Sequence, residues 1–182
     1  MTGPMTGGRT GGFARIAGLA AAFSTVAGQA WAGTCALPDE EAALDTRVLQ
    51  SELVVAALSC QQNDRYNAFV TKFSAALVYE GVNFRNFFTR NYGPYGEAMM
   101  DQLVTRLANL AEMRSWGLGE LYCPTEASVF DGLLALDPSQ LPAFAASRPY
   151  VNDHDVEPCP PQYQAATQQV PPEPAPASTP AP

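Results

Sequence analysis

Any chemistry in this chain has to come from one histidine, four cysteines and a scatter of carboxylates. His154 sits in Asn152-Asp153-His154-Asp155, with Glu157 close by. An imidazole flanked by carboxylates is donor chemistry for a divalent metal. Neighbouring residues of an extended segment point in different directions, however, and one histidine rarely closes a metal site. A solvated acidic loop is the simpler expectation, and no metal ligand is assigned. A Ser/His/Asp arrangement would have to use this same histidine, and no G-x-S-x-G accompanies it.

Cys35, Cys60, Cys123 and Cys159 contain no C-x-x-C spacing, so redox pairs, zinc ribbons and covalent haem attachment are not indicated. An even cysteine count in an exported chain reads as two disulfides. Among the carboxylates, Glu52 interrupts an otherwise apolar stretch, and burial there would raise its pKa. Glu80 lies beside Tyr79. A glycosidase would need two such carboxyls at a defined separation, which spacing alone does not reveal. Pairing of Glu52 with an arginine is the expectation, so no catalytic residue and no cofactor are assigned.

Tyr79 to Tyr95 (YEGVNFRNFFTRNYGPY) concentrates aromatics with arginine and asparagine. Such residues anchor protein interfaces. Phe84, Arg85, Phe87, Phe88, Arg90, Tyr92 and Tyr95 are therefore the candidate interface. Two alternatives stand beside it: a plug of phenylalanines closing the end of a bundle, or a groove for a small ligand.

These residues are positioned by helices. Val48 to Cys60 (VLQSELVVAALSC) is uncharged after Glu52 and apolar on every face, so it must be surrounded by other helices. Pro38-Asp39-Glu40-Glu41 opens this first helix, since proline and acids both suit a first turn. A second helix follows Asn63, with Tyr66, Phe69, Val70, Phe73 and Leu77 at i, i+3, i+4 spacing, and is expected to stop at Gly81. A short third helix carries Phe84, Phe87 and Phe88. Gly93-Pro94-Tyr95-Gly96 breaks the chain before a fourth helix, about 97–114, striped by Met100, Leu103, Val104, Leu107 and Ala111. A fifth begins near Cys123 with Val129, Phe130 and Leu133 inward, and a shorter helix runs from Asp137-Pro138 through Phe144. The fold class is all-α: a disulfide-bonded bundle of about five helices with an up-down core of four.

If helix four returns alongside helix one, Cys60 meets Cys123 at one end. Helix five then leads the chain back, bringing Cys159 to Cys35. The expected bridges are Cys60–Cys123 and Cys35–Cys159.

Arg9 and Arg15, the apolar run Ile16 to Gly28 and the small-x-small Ala30-Trp31-Ala32 read as a signal peptide over residues 1–32. Cleavage there removes two arginines and no acid. Eight Lys/Arg against eighteen Asp/Glu then give a net charge of −10, which disfavours nucleic acid and anionic lipid. No integral membrane segment is expected after cleavage. Residues 33–157 form the bundle domain. From 158 to 182, nine of twenty-five residues are proline, the composition of a disordered tail. The function expected is an exported, non-enzymatic accessory or scaffold protein of the bacterial cell envelope, periplasmic or secreted, acting through an envelope protein partner. The alternatives are a small-molecule-binding bundle that uses Met99 and Met100, or a cell-wall hydrolase that uses Glu52 or Glu80.

Overall fold

The computed structural model describes residues 34–161, 163 and 164. The export segment expected over 1–32 and most of the proline-rich tail lie outside them. The described chain is an all-α bundle: α1 (Pro38–Ser59), α2 (Asn63–Lys72), α3 (Ser74–Tyr92), α4 (Gly96–Leu118), α5 (Tyr122–Ala135) and α6 (Leu141–Ala146), with short 3-10 turns between them. No strand longer than a single bridge occurs among the described residues.

α1 is the central element, and it packs against every other helix. Leu44, Val48, Leu49, Leu53, Ala56 and Ala57 are all buried along it. Its start is fixed by Glu40, whose carboxylate accepts the Leu37 N–H at 2.9 Å, satisfying one donor that a helix N-terminus leaves open. It ends with Gln61 in the left-handed conformation and Gln62 N–H bonded to Ala57 C=O at 2.9 Å, a Schellman-type closure. This turn presents Cys60 to Cys123. Leu58 departs from expectation. The run from Val48 to Cys60, apolar on every face, assigns it to the core, but it faces solvent, because nothing packs over that face of the last turn.

The division between the second and third helices also differs. The break falls at Phe73, not Gly81, and α3 continues through Gly81 as a full-length helix. Phe73 is fully buried beside Phe69, ring centroids 5.5 Å apart. Packing of both rings on Leu49, Leu53 and Ala56 fixes the bend, whereas space is open around Gly81 and no turn is required there. Tertiary packing thus overrides glycine's modest cost inside a helix.

α4 runs in the same direction as α1. Leu103 and Leu107 pack with Leu44 and Val48, and further along Arg114 meets Glu52. Its start lies against α3: a Cβ on Gly96 would come within 2.9 Å of the Phe88 carbonyl oxygen. α5 lies beside α2, where Arg65 Nη1 donates to Ala127 C=O at 2.9 Å and, one heptad on, Lys72 Nζ donates to Leu134 C=O at 2.7 Å.

The disulfides are Cys60–Cys123 and Cys35–Cys159, the pairing that the topology requires. Beside the second, Ala36 N–H donates to Glu157 C=O at 2.9 Å and Cys159 N–H to Ala36 C=O at 2.7 Å. Packed chain therefore extends beyond 157. Cys159 is buried, Gln164 Nε2 donates to Cys159 C=O at 2.6 Å, and Arg90 donates to the Tyr163 hydroxyl at 3.3 Å. Proline content alone does not reveal this docking, because a disulfide and two backbone bonds hold the segment in place of apolar burial.

Candidate functional site

Two places in the bundle carry unusual chemistry or exposure. One is a buried polar layer, the other an apolar end.

The polar layer draws Glu52 from α1, Arg114 from α4, Tyr122 and Glu126 from α5, and Tyr150 and Asp153 from the segment after α6. Arg114 forms ion pairs with both Glu52 and Asp153 and lies 4.7 Å from the Tyr150 ring centroid. Glu52 Oε1, Glu126 Oε2 and the hydroxyls of Tyr122 and Tyr150 are buried without a hydrogen bond among the described residues. The Tyr122 hydroxyl lies beside Glu52 but outside hydrogen-bond geometry. Burial raises the Glu52 pKa, and the nearby Arg114 guanidinium pulls it partly back. Burial and the charge of Glu52 push Glu126 up to about 7, against the weaker pull of Arg114 and Arg148. Both tyrosine hydroxyls are pushed up, chiefly by burial. A raised carboxyl is what a general acid needs, but a general acid must also touch its substrate. Glu52 and Glu126 are each only 1% exposed. Glu80 is buried on α3, where desolvation and Asp39 raise its pKa.

His154 is not part of a solvated loop. It is buried, its Nε2 lies 3.2 Å from Asp45 Oδ1, and its Nδ1 accepts the Val156 N–H at 3.1 Å. Nε2–H is therefore the donor to Asp45, and both ring nitrogens are occupied. No cluster of three or more His, Cys, Asp or Glu among the described residues could hold a metal ion.

The aromatic cluster divides. Phe84, Phe87 and Phe88 are buried around one end of the core, with edge-to-face contacts at 5.1 Å and 5.0 Å. They form the plug, not an interface. Arg90 is held by Glu40, with Nε donating to Oε1 at 2.9 Å, and by the Cys35 carbonyl. Already covered by their own chain, these three rings leave almost no apolar area for a partner to bury. Tyr92 is half-buried against Phe88, while Arg85 and Tyr95 remain exposed. Phe87, Phe88, Tyr92, Met99 and Leu103 line a surface groove of about 320 Å³.

The apolar end lies at the other pole. Trp116 is 76% exposed, Leu58 71%, Leu121 68% and Met113 59%, with Leu118 also outside the core. They come from the last turns of α1 and α4 and the 3-10 turn that follows α4. The Cys60–Cys123 bridge, Cα atoms 5.5 Å apart, ties the end of α1, which carries Leu58, to the start of α5, just after Leu121. Gly119, at φ +51°, ends α4 in a conformation disfavoured for other residues and turns the chain through Trp116 to Leu121. This site escaped the residue-level reading. Its signal is Trp116-Gly117-Leu118-Gly119-Glu120-Leu121, where large apolar side chains alternate with glycine beyond any helical stripe.

Comparison with protein-family models, with curated proteins and with solved structures finds no significant match to this chain. Two disulfides, and no described helix long and apolar enough to cross a membrane, are compatible with a protein of an extracellular or periplasmic compartment.

Proposed function

We propose that the chain is an exported accessory or scaffold protein of the cell envelope that works by binding another protein through its apolar end. The observation that carries this reading is the exposure of Trp116, Leu58, Leu121 and Met113 at the end of the bundle that the Cys60–Cys123 disulfide closes. Tryptophan is among the side chains enriched at the energetic centres of interfaces. A soluble domain seldom leaves such a group of large apolar side chains uncovered, and a bridge that joins two chain segments at this end lowers the entropy lost on binding. The non-enzymatic reading is supported by the seclusion of Glu52, Glu80, Glu126 and His154 from solvent.

The test is affinity isolation of the protein from native envelope extract, in parallel with Trp116→Ser/Leu121→Ser. One protein recovered in stoichiometric amount with the wild type and lost with the double variant is the expected result. Equal recovery with both removes this surface from the function.

The groove at Phe88, Tyr92 and Met99 supports a second reading, a small-molecule-binding bundle, because it lies where α3 meets the start of α4. A ligand screen read by thermal shift distinguishes the two. A hit abolished by Met99→Trp, with Trp116→Ser/Leu121→Ser still shifted, favours this reading over the interface.

A further inference from the structure

We infer that the segment recognised at the apolar end is cationic: an amphipathic stretch of a partner protein with apolar anchors flanked by Lys or Arg. This inference rests on the interface reading above and adds the partner's charge to it.

The rim of the apolar end is acidic. Glu112 lies one helical turn before Trp116, at the i, i+4 spacing that places both on one face. Glu120 separates Gly119 from Leu121, and Asp64 lies in the first turn of α2, just beyond Cys60. All three are exposed. Among the described residues, no unengaged positive charge lies beside them.

Nearly every basic side chain among the described residues is already engaged. Arg114 turns inward to Glu52 and Asp153, Arg65 is paired with Asp131, and Arg106 with Asp155. Arg90 is held by Glu40 and Lys72 by the Leu134 carbonyl. Arg47 lies over the Phe84 ring and Arg148 over the Phe144 ring. The remaining one, Arg85, borders a groove with Gly93, Gly96 and Glu97 at the start of α4. α4 has 23 residues, so about 35 Å of helix separates that groove from Leu118. That distance is several Debye lengths at physiological salt.

An anionic or neutral anchor would meet only like charge or no charge at this rim, whereas a basic flank would meet three carboxylates. Such complementarity raises association rates and selects partners more than it deepens affinity. Anionic lipid, the other apolar surface of an envelope, is repelled by the same rim.

The test uses the full chain carrying Trp31→Phe, which leaves Trp116 as its only tryptophan. Two peptides of about 18 residues share one leucine face and differ only in carrying Lys or Glu on the polar face. The Leu/Lys peptide is expected to give a saturable blue shift of Trp116 fluorescence. Its Kd should weaken about threefold to tenfold in Glu112→Gln/Glu120→Gln and weaken again in 0.5 M salt. The Leu/Glu peptide and vesicles of phosphatidylcholine with phosphatidylglycerol should give no shift.

Equal responses to both peptides would overturn the charge inference and leave the interface standing. A response to vesicles alone would overturn both. No response to any probe, with partner capture still dependent on Trp116, would overturn the cationic inference alone.

Discussion

Glu126 makes the stability of this bundle fall as pH rises. Its carboxyl faces Glu52 from α1, Arg114 from α4 and Arg148 after α6, and neither arginine forms an ion pair with it. The folded protein holds its proton until about pH 7, whereas the ordinary value is 4.5. An acid whose pKa is raised by folding binds its proton more tightly in the native state, so its stabilisation is complete below about pH 4.5. That stabilisation declines as pH rises and is gone once pH exceeds about 7. A rise of about 2.5 units at ~1.4 kcal/mol each corresponds to about 3 kcal/mol. Burial raises Glu52 and Glu80 in the same direction, so they add to the trend and do not cancel it.

Glu126→Gln keeps the shape and the neutral form while removing the titration. Urea unfolding at pH 5 and pH 8 reads the effect. The wild type should lose about 2.5 kcal/mol from Glu126 between the two, on top of what Glu52 and Glu80 contribute, and the variant should lose about 2.5 kcal/mol less than the wild type. At pH 8 the variant should be the more stable protein. If both lose the same amount, Glu126 does not hold its proton in the native state, and the account of the polar layer is wrong.

Three further outcomes follow from the packing. Arg114→Ala leaves Glu52 and Asp153 without their cation and should cost about 3 kcal/mol at pH 7; less at pH 5, where Glu52 can take up a proton, would be seen in the same urea titration. Cys60→Ser/Cys123→Ser opens a cross-link spanning 63 residues and should cost roughly 4 kcal/mol in the chain-entropy model. It should also free the Trp116 end, read as faster amide exchange over 116–123. Gly96→Ala drives a Cβ into the Phe88 carbonyl and should cost about 1–3 kcal/mol in thermal unfolding, while Gly81→Ala, in open space, should stabilise α3 slightly.

The architecture was legible wherever one feature of the sequence decided it. The apolar run after Glu52 required a surrounded helix, and the connection order then placed Cys60 with Cys123 and Cys35 with Cys159. Glu126 was also legible in principle, because it shares the core stripe of α5 with Val129, Phe130 and Leu133 at i, i+3, i+4 and i+7. The bend at Phe73 was not, since it depends on two rings filling a space defined by α1 and α5. His154 stayed hidden for a similar reason: its partner, Asp45, is 109 residues away. Leu58 and the Trp116 turn reversed the usual inference from apolar residue to core, as a binding surface does. Periodicity marks which residues leave water, but not whether their own chain or another covers them.

The most direct measurement is site-specific photo-cross-linking in living cells, with p-benzoylphenylalanine placed at Trp116, at Val78 on the exposed side of α3, and at Tyr95 at the opposite pole. One discrete cross-linked protein is expected from position 116, rich in Lys or Arg at the captured segment, and little or none from 78 and 95. Cross-links of equal yield from all three positions, or a discrete product only from Tyr95, would contradict the interface reading.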